Sequence, residues 1–189
     1  MILGIIDLDN TVSEWLAWIM KQQGSVPKLS GLRSGRLEEM WDLTDQQVDD
    51  LVQDLRGYTE VDVIPGAYEG LWKLWHDPQI EFIYVSAAPK NAIEGRYQWL
   101  QQNYLPIHQV ELIHLGTSLD KVDWIHKYGK GYDFIVDDSL DHLDAALFAG
   151  VELRIAFHRP WNQQDKDNHH RVRNWKQVVN LIQQQVYAE

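Results

Sequence analysis

The stretch GIIDLDNT, residues 4–11, decides how the chain is read. Ile5 and Ile6 belong in the interior of a sheet, whereas Asp7 and Asp9 belong there only if something pairs with their charge. Side chains two apart along a strand point the same way, so a strand continuing past Ile6 aims both carboxylates at one small volume. Two like charges so placed repel, and a cation or a shared proton relieves them. A plain strand followed by an acidic, Asn-containing turn accounts for the same letters. The octet alone leaves both readings open.

The ends of the other apolar runs discriminate between them. Short runs rich in Ile, Val, Leu and aromatics predict strands over 2–6, 80–85, 110–115, 132–136 and 151–157. The second is followed by Ser86, Ala87, Ala88 and Pro89, where a hydroxyl and the free amides before a helix start make a small anion seat. The third leads into GTSLDK, which puts Lys121 at the start of a short helix; a lone lysine there is ordinarily a solvated charge. The fourth, YDFIV, closes on Asp137-Asp138 and so repeats the oddity of the first. Independent surface acids rarely choose the ends of two core strands. Carboxylate and carbonyl oxygens suit Mg²⁺, a hard cation with octahedral oxygen coordination. Ser86 and Lys121 then supply the donor and the charge that phosphoryl oxygens need. One Asp can attack phosphorus while the Asp two residues on hands a proton to the leaving oxygen.

Between these strands lie helical patterns. Ala67, Tyr68, Leu71, Trp72 and Trp75 fall at helical spacing before Pro78, and Pro89 opens a helix whose apolar stripe is Ile93, Tyr97 and Leu100. Trp175, Val178, Val179, Ile182 and Val186 form the stripe of a C-terminal helix. Strands alternating with helices imply a mostly parallel sheet covered on both faces. The interval 7–79 is far longer than one crossover needs. Val12, Trp15, Leu16 and Ile19 predict a helix ending near Gly24, and Thr44 with Gln47 predicts a capping box opening a helix through Val48, Leu51, Val52 and Leu55 to Gly57. These helices, over 12–64, are expected to form a small insertion roofing the carboxyl ends of the strands.

The residues Asp7-Leu8-Asp9-Asn10-Thr11, Ser86, Lys121 and Asp137-Asp138 fall in the order and spacing of the haloacid dehalogenase-like (HAD) phosphohydrolase superfamily, which the chain resembles over nearly its whole length. VIPGAYEGLWKL, LDKVDWI, IVDDSLDHL, FHRPWNQ and RVRNWKQVVNLI are similar to its 5'(3')-deoxyribonucleotidase branch. The resemblance implies an α/β, Rossmann-like core of residues 1–11 and 65–189 with a five-stranded, mostly parallel sheet, and a small helical cap of residues 12–64 inserted after the first strand. It implies Asp7 as nucleophile and metal ligand, and Asp9 as acid–base with its carbonyl on the metal. Ser86, Ala87 and Lys121 become the phosphate-binding set. Asp138 becomes the fourth-motif ligand of Mg²⁺, with Asp137 beside it. Family members often carry an acid four residues beyond that ligand; here His142 stands there and Asp141 one residue earlier. A Gly often follows the second Asp of the first motif, where this chain has Asn10.

Composition bounds the rest. The chain has 189 residues, no cysteine and a formal net charge of −11. One core-forming domain is expected, without disulfides, thiolate zinc or thiol catalysis. The charge argues against coating DNA or RNA, although a site holding a cation still attracts a small anionic phosphate. No leader or membrane span is expected, so the expectation is a soluble cytoplasmic protein acting on a small phosphorylated substrate, a nucleoside monophosphate by the resemblance, with no polynucleotide or membrane partner. Of the nine tryptophans most read as core; Trp15, Trp18 and Trp41 are the candidates to face a base, and Arg33 and Arg36 to touch a substrate. His158, His169 and His170 lack companion ligands, and the acids of 42–54 read as a solvated helix face. Three alternatives stand beside a nucleotidase: a phosphatase for another small ester, a phosphate-accepting receiver domain, and an inactive interaction module. A receiver carries its lysine after the fourth acidic position, whereas Lys121 precedes Asp137.

Overall fold

The computed structural model describes residues 1–28, 37–163 and 168–187. Six strands, β1 (Ile2–Ile6), β2 (Ile80–Ala87), β3 (Leu112–Leu115), β4 (Phe134–Asp137), β5 (Leu153–Phe157) and β6 (His170–Val172), form one sheet in the order β3-β2-β1-β4-β5-β6. Every neighbouring pair is parallel. The fold is thus the expected α/β, Rossmann-like one, with six strands instead of five. The extra strand, β6, is a three-residue edge piece reading His-Arg-Val, too short and too polar to carry a strand signature.

Nine α-helices complete the described residues. Five lie between β1 and β2: α1 (Trp15–Gln23), α2 (Leu37–Trp41), α3 (Asp45–Val52), α4 (Arg56–Thr59) and α5 (Ala67–Trp75). The others are α6 (Ile93–Gln102), α7 (Ser118–Tyr128), α8 (Leu140–Ala149) and α9 (Trp175–Val186). No helix among the described residues is long and apolar enough to cross a membrane.

Strict alternation along the strands sorts the core into two layers. Ile6, Phe82, Tyr84, Phe134, Val136, Ile155 and Phe157 face one side, packing with buried residues of α1, α2, α4, α5, α6 and α9. Ile5, Ile83, Val85, Ile135 and Ala156 face the other, under α7 and α8. Gly4 has to lack a side chain, because a Cβ there would fall within 1.9 Å of the Phe134 ring. Continuing the alternation places Asp7 on the face of Ile5 and Asp137 on the face of Ile135, both toward α7. The sheet therefore delivers two carboxylates to the helix that carries Lys121.

Several local expectations hold. Gly24 ends α1 with φ 62°, and Thr44 and Gln47 form a reciprocal capping box at α3. The single helix expected from Thr44 to Gly57 is instead two, because α3 ends at Val52 and the chain turns before α4. The apolar stripe expected on α6 is rotated: Ile93 and Tyr97 are exposed, whereas Arg96, Trp99 and Leu100 are buried. Hydrogen bonds from Ile64 N to Val12 O (2.8 Å) and from Glu14 N to Asp62 O (2.9 Å) bring together the two ends of the stretch 12–64 that carries α1–α4.

Candidate active site

Asp7 follows β1 directly, its amide donating to Val136 O of β4 at 3.0 Å. Its Oδ1 accepts from Lys121 Nζ at 2.5 Å, and the same ammonium reaches Asp137 Oδ2 at 2.8 Å. Lys121 is fully buried in the first turn of α7, so the reading of it as a solvated charge fails. Asp137 is saturated: Ser139 N donates to its Oδ1 at 2.9 Å, and His142 Nδ1 lies 3.1 Å from both its oxygens. Ser118 Oγ is 2.9 Å from His142 Nε2. Asp138 has a different partner, with Trp161 Nε1 donating to its Oδ2 at 2.9 Å.

Asp7, Asp137 and Asp138 each bring a carboxylate oxygen within 4.8 Å of the others, all three residues being buried. Such a cluster of hard oxygen donors fits a cation of the Mg²⁺ type. Three carboxylates against one ammonium leave a formal charge of −2, which a divalent ion balances. Asp7 Oδ2 is buried with no hydrogen-bond partner. Because Asp137 is already occupied by Lys121, Ser139 and His142, the open positions are Asp7 Oδ2 and the second oxygen of Asp138. The electrostatics carry the same message. Burial pushes the Asp7 carboxyl up to about 7, with Asp137 and Asp9 reinforcing and Lys121 opposing. Burial, then Asp7 and Asp137, hold Asp138 well above the ordinary carboxylate value. Burial alone would raise Asp137 too, but His142 and Lys121 outweigh it and hold it low. Burial would lower Lys121, yet Asp137 and Asp7 outweigh it and raise it.

Asp9 does not join this cluster. β1 ends at Ile6, and the chain bends so that Asp9 pairs with Ser13 in an isolated bridge. Its Oδ1 accepts from Arg96, a fully buried side chain of α6, and from Ser13 Oγ at 3.2 Å. The picture of Asp7 and Asp9 converging along one strand is corrected accordingly: the three carboxylates that come together are Asp7, Asp137 and Asp138, and Asp9 repels Asp7 from outside that group. Asn10 sits at φ 60°, a conformation Asn tolerates better than most non-glycine residues. Its Oδ1 accepts from Leu16 N at 2.8 Å, and its carbonyl accepts from Arg159 Nε at 2.7 Å. The departure from Gly therefore gains a tie to α1.

A cavity of about 470 Å³ opens over these groups, within the usual size of a small-molecule site. Asp7, Asp9 and Asp138 lie at its lining with Ala87 of β2; Trp15, Val48, Val52 and Tyr58 contribute an apolar and aromatic wall. Ser86 is fully buried, its hydroxyl without a partner, and it is Ala87 that reaches the lining. Of the three tryptophans expected to face a base, Trp15 does line the cavity, whereas Trp18 does not and Trp41 donates to Ser25 Oγ at 3.0 Å. Arg33 and Arg36 lie outside the described residues. His169 pairs with Asp144 at 3.2 Å, and no histidine joins a metal-like cluster among the described residues. Sequence reasoning missed Arg96 and Trp161. Arg96 stands on a helix whose letters point its apolar stripe elsewhere, and Trp161, although within FHRPWNQ, reads from its letters as one more core tryptophan.

No family model matches the chain, and no curated protein matches it. Solved structures do. A conserved haloacid dehalogenase-like protein of unknown function from Agrobacterium tumefaciens superposes with a TM-score of 0.62 at 15% identity, covering 97% of this chain and 98% of that one. A haloacid dehalogenase-like family hydrolase from Xanthomonas campestris gives 0.61 at 11%, covering 97% and 95%. A HAD family hydrolase from Deinococcus radiodurans with bound phosphate and sodium gives 0.58 at 14%, covering 95% and 94%. At these identities the likeness establishes the fold, that of HAD-like hydrolases.

Proposed function

We propose that the chain is a Mg²⁺-dependent phosphomonoesterase of the HAD superfamily that works through an aspartyl phosphate on Asp7. The observation that carries this reading is the pairing of Lys121 with Asp7 Oδ1 while Asp7 Oδ2 stays buried and unpartnered. Helices α1–α4, residues 12–64, act as a cap over the strand ends, a division supported by the hydrogen bonds that close its two ends.

The Asp7 carboxylate attacks phosphorus. An Asp7 O–P bond forms, the ester P–O bond breaks, and Asp9 gives its proton to the leaving oxygen. Water then attacks the acyl phosphate, passing a proton back to Asp9 and releasing inorganic phosphate and free Asp7. Lys121, held between Asp7 and Asp137, neutralises charge on the phosphoryl oxygens, with Ser86 and the Ala87 backbone as further donors. Asp7 and Asp138 would hold the cation, aided by the Asp9 carbonyl, with Asp137 one step behind. When bound, the cation supplies positive charge for the transferring group.

The substrate class we infer is a nucleoside monophosphate, in the manner of a 5'(3')-deoxyribonucleotidase. Support comes from the aromatic and apolar wall of Trp15, Val48, Val52 and Tyr58, which suits a flat leaving group. A phosphatase for another small ester is the second reading, favoured by the same catalytic groups. The test is phosphate release from an aryl phosphate and from deoxy- and ribonucleoside monophosphates with Mg²⁺, with EDTA, and with Asp7→Asn. Metal-independent release that survives Asp7→Asn overturns the mechanism. Turnover of the aryl ester with no nucleotide turned over overturns the substrate class alone.

A further inference from the structure

The acid that often stands four residues beyond the fourth-motif ligand is His142 here, and His142 faces Asp137 and Ser118. Asp138 is therefore oriented by something else. Trp161, 2% exposed, lies on the short 3₁₀ turn Pro160–Asn162 after β5, and its indole N–H donates to Asp138 Oδ2 at 2.9 Å. The next residue holds the same aspartate by its main chain: Asn162 Nδ2 donates to Asp138 O at 2.8 Å and to Phe157 O at 2.8 Å. Asn162 is itself fixed, since its Oδ1 accepts from Arg159 N at 3.0 Å and from Arg171 of β6 at 2.7 Å. The edge strand thus ends a chain of contacts running from Arg171 through Asn162 to Asp138.

We propose that Trp161 is the positioning residue of the metal centre: its indole N–H holds one oxygen of Asp138 and leaves the other for the cation. The proposal rests on the reading of Asp7 and Asp138 as ligands. A neutral, water-excluding donor serves here in place of a carboxylate. It fixes the rotamer of Asp138 without adding charge, so the cluster of three aspartates and one lysine keeps the formal −2 that a divalent ion balances. Partners behind the ligands of metal sites commonly govern affinity by about 10- to 100-fold.

The test is Mg²⁺ affinity by calorimetry, with melting in EDTA as the separate measure of folding. Three proteins are compared with the native one: Trp161→Phe, Trp175→Phe, and a protein carrying 3-benzothienylalanine at position 161, in which sulfur replaces the N–H at nearly unchanged shape. Trp175 is a fitting control, being a buried indole that donates to a backbone carbonyl, that of Thr11, at 2.9 Å. Expected is a loss of Mg²⁺ affinity of about tenfold or more in both position-161 proteins and none in Trp175→Phe. If Trp161→Phe fails to fold, the sulfur analogue decides. Native affinity in the analogue overturns the proposal while leaving the metal site standing. A native protein that binds no Mg²⁺, with Asp138→Asn indistinguishable from it, overturns both.

Discussion

Arg96, fully buried in α6, pairs its guanidinium with the carboxylate of Asp9 on the loop after β1. The guanidinium carbon lies 4.9 Å from the ring centroid of Tyr58 in α4 and 5.4 Å from that of Trp99. The cation therefore lies over two aromatic rings, and with Ser13 it fixes one oxygen of the proposed acid–base before substrate arrives.

Removing that tether is expected to damage the chemical step more than binding. Arg96→Leu should lower kcat by about 100-fold, the scale associated with misplacing a reacting group by an ångström, with KM changed little. Arg96→Lys should recover part of the loss, because a point charge pairs with Asp9 but lacks the planar fork. Arg96→Leu should also cost about 3 kcal/mol of stability in urea melts, the low end for breaking a buried pair, since the Asp9 side chain retains 19% exposure. A change confined to KM would show that Arg96 acts on substrate directly.

Asp7→Asn is expected to abolish turnover, by at least about 1,000-fold, in a protein that stays folded. The amide is nearly isosteric, and Lys121 keeps Asp137 as partner at 2.8 Å. Asp138→Asn should instead raise the Mg²⁺ concentration needed for half-maximal rate, with most of the rate recovered at saturation. Asp137→Asn should leave that concentration closer to native and slow the reaction at all Mg²⁺ levels, because it loosens Lys121 rather than the cation. The titrations of the two variants, run side by side, check the assignment.

Burial raises Asp7 to about 7 and raises Asp138 in the same direction, which sets a pH dependence with a definite sign. Between the unfolded value of 3.8 and about 7, the folded chain holds the Asp7 proton that the unfolded chain has released. Stability contributed by Asp7 is then complete at low pH and is lost as pH rises through that window. In EDTA, Tm should fall from pH 5 toward pH 7.5, and Asp7→Asn should flatten the slope. Mg²⁺ must displace the same protons. Its apparent affinity should therefore rise across this window, and its binding heat at pH 6 should vary with the ionisation enthalpy of the buffer. An affinity independent of pH between 5 and 7.5 would show that Asp7 is already ionised without the ion.

The parts of the site that were legible in the sequence are those written into strand ends. Asp7, Ser86 and Asp137 sit where an apolar run stops, and the alternation that buries Ile5 and Ile135 aims the two aspartates at α7. Lys121 was legible through its spacing within a motif, although nothing local distinguished it from a surface lysine. What was hidden depends on contacts distant in the chain. Arg96 meets Asp9 across 87 positions, and Trp161 meets Asp138 across 23. Neither pairing leaves a periodic trace. β6 escaped for a related reason: a three-residue edge strand is held by its neighbour β5 rather than by its own propensity.

The separation of Asp9 from the three-aspartate cluster allows its chemistry to be tested apart from that of Lys121. Asp9 is proposed to protonate the leaving oxygen and afterwards to activate water, and Lys121 to neutralise charge on the phosphoryl group whatever its ester. A nucleoside 5'-phosphate leaves as a basic alkoxide and needs the proton; an aryl phosphate leaves as a weakly basic phenoxide and needs it less. Asp9→Asn should then slow the single-turnover burst of leaving group from the nucleotide by a larger factor than that from the aryl ester, with hydrolysis of the aspartyl phosphate impaired for both. Lys121→Ala should slow both bursts by similar factors, because its target is common to the two substrates. That variant also removes the ammonium standing between Asp7 and Asp137, so its melting curve in Mg²⁺ must accompany the kinetics. Equal slowing of the two bursts in Asp9→Asn would remove Asp9 from proton transfer and leave it the structural duty that its contacts with Arg96 and Ser13 already describe.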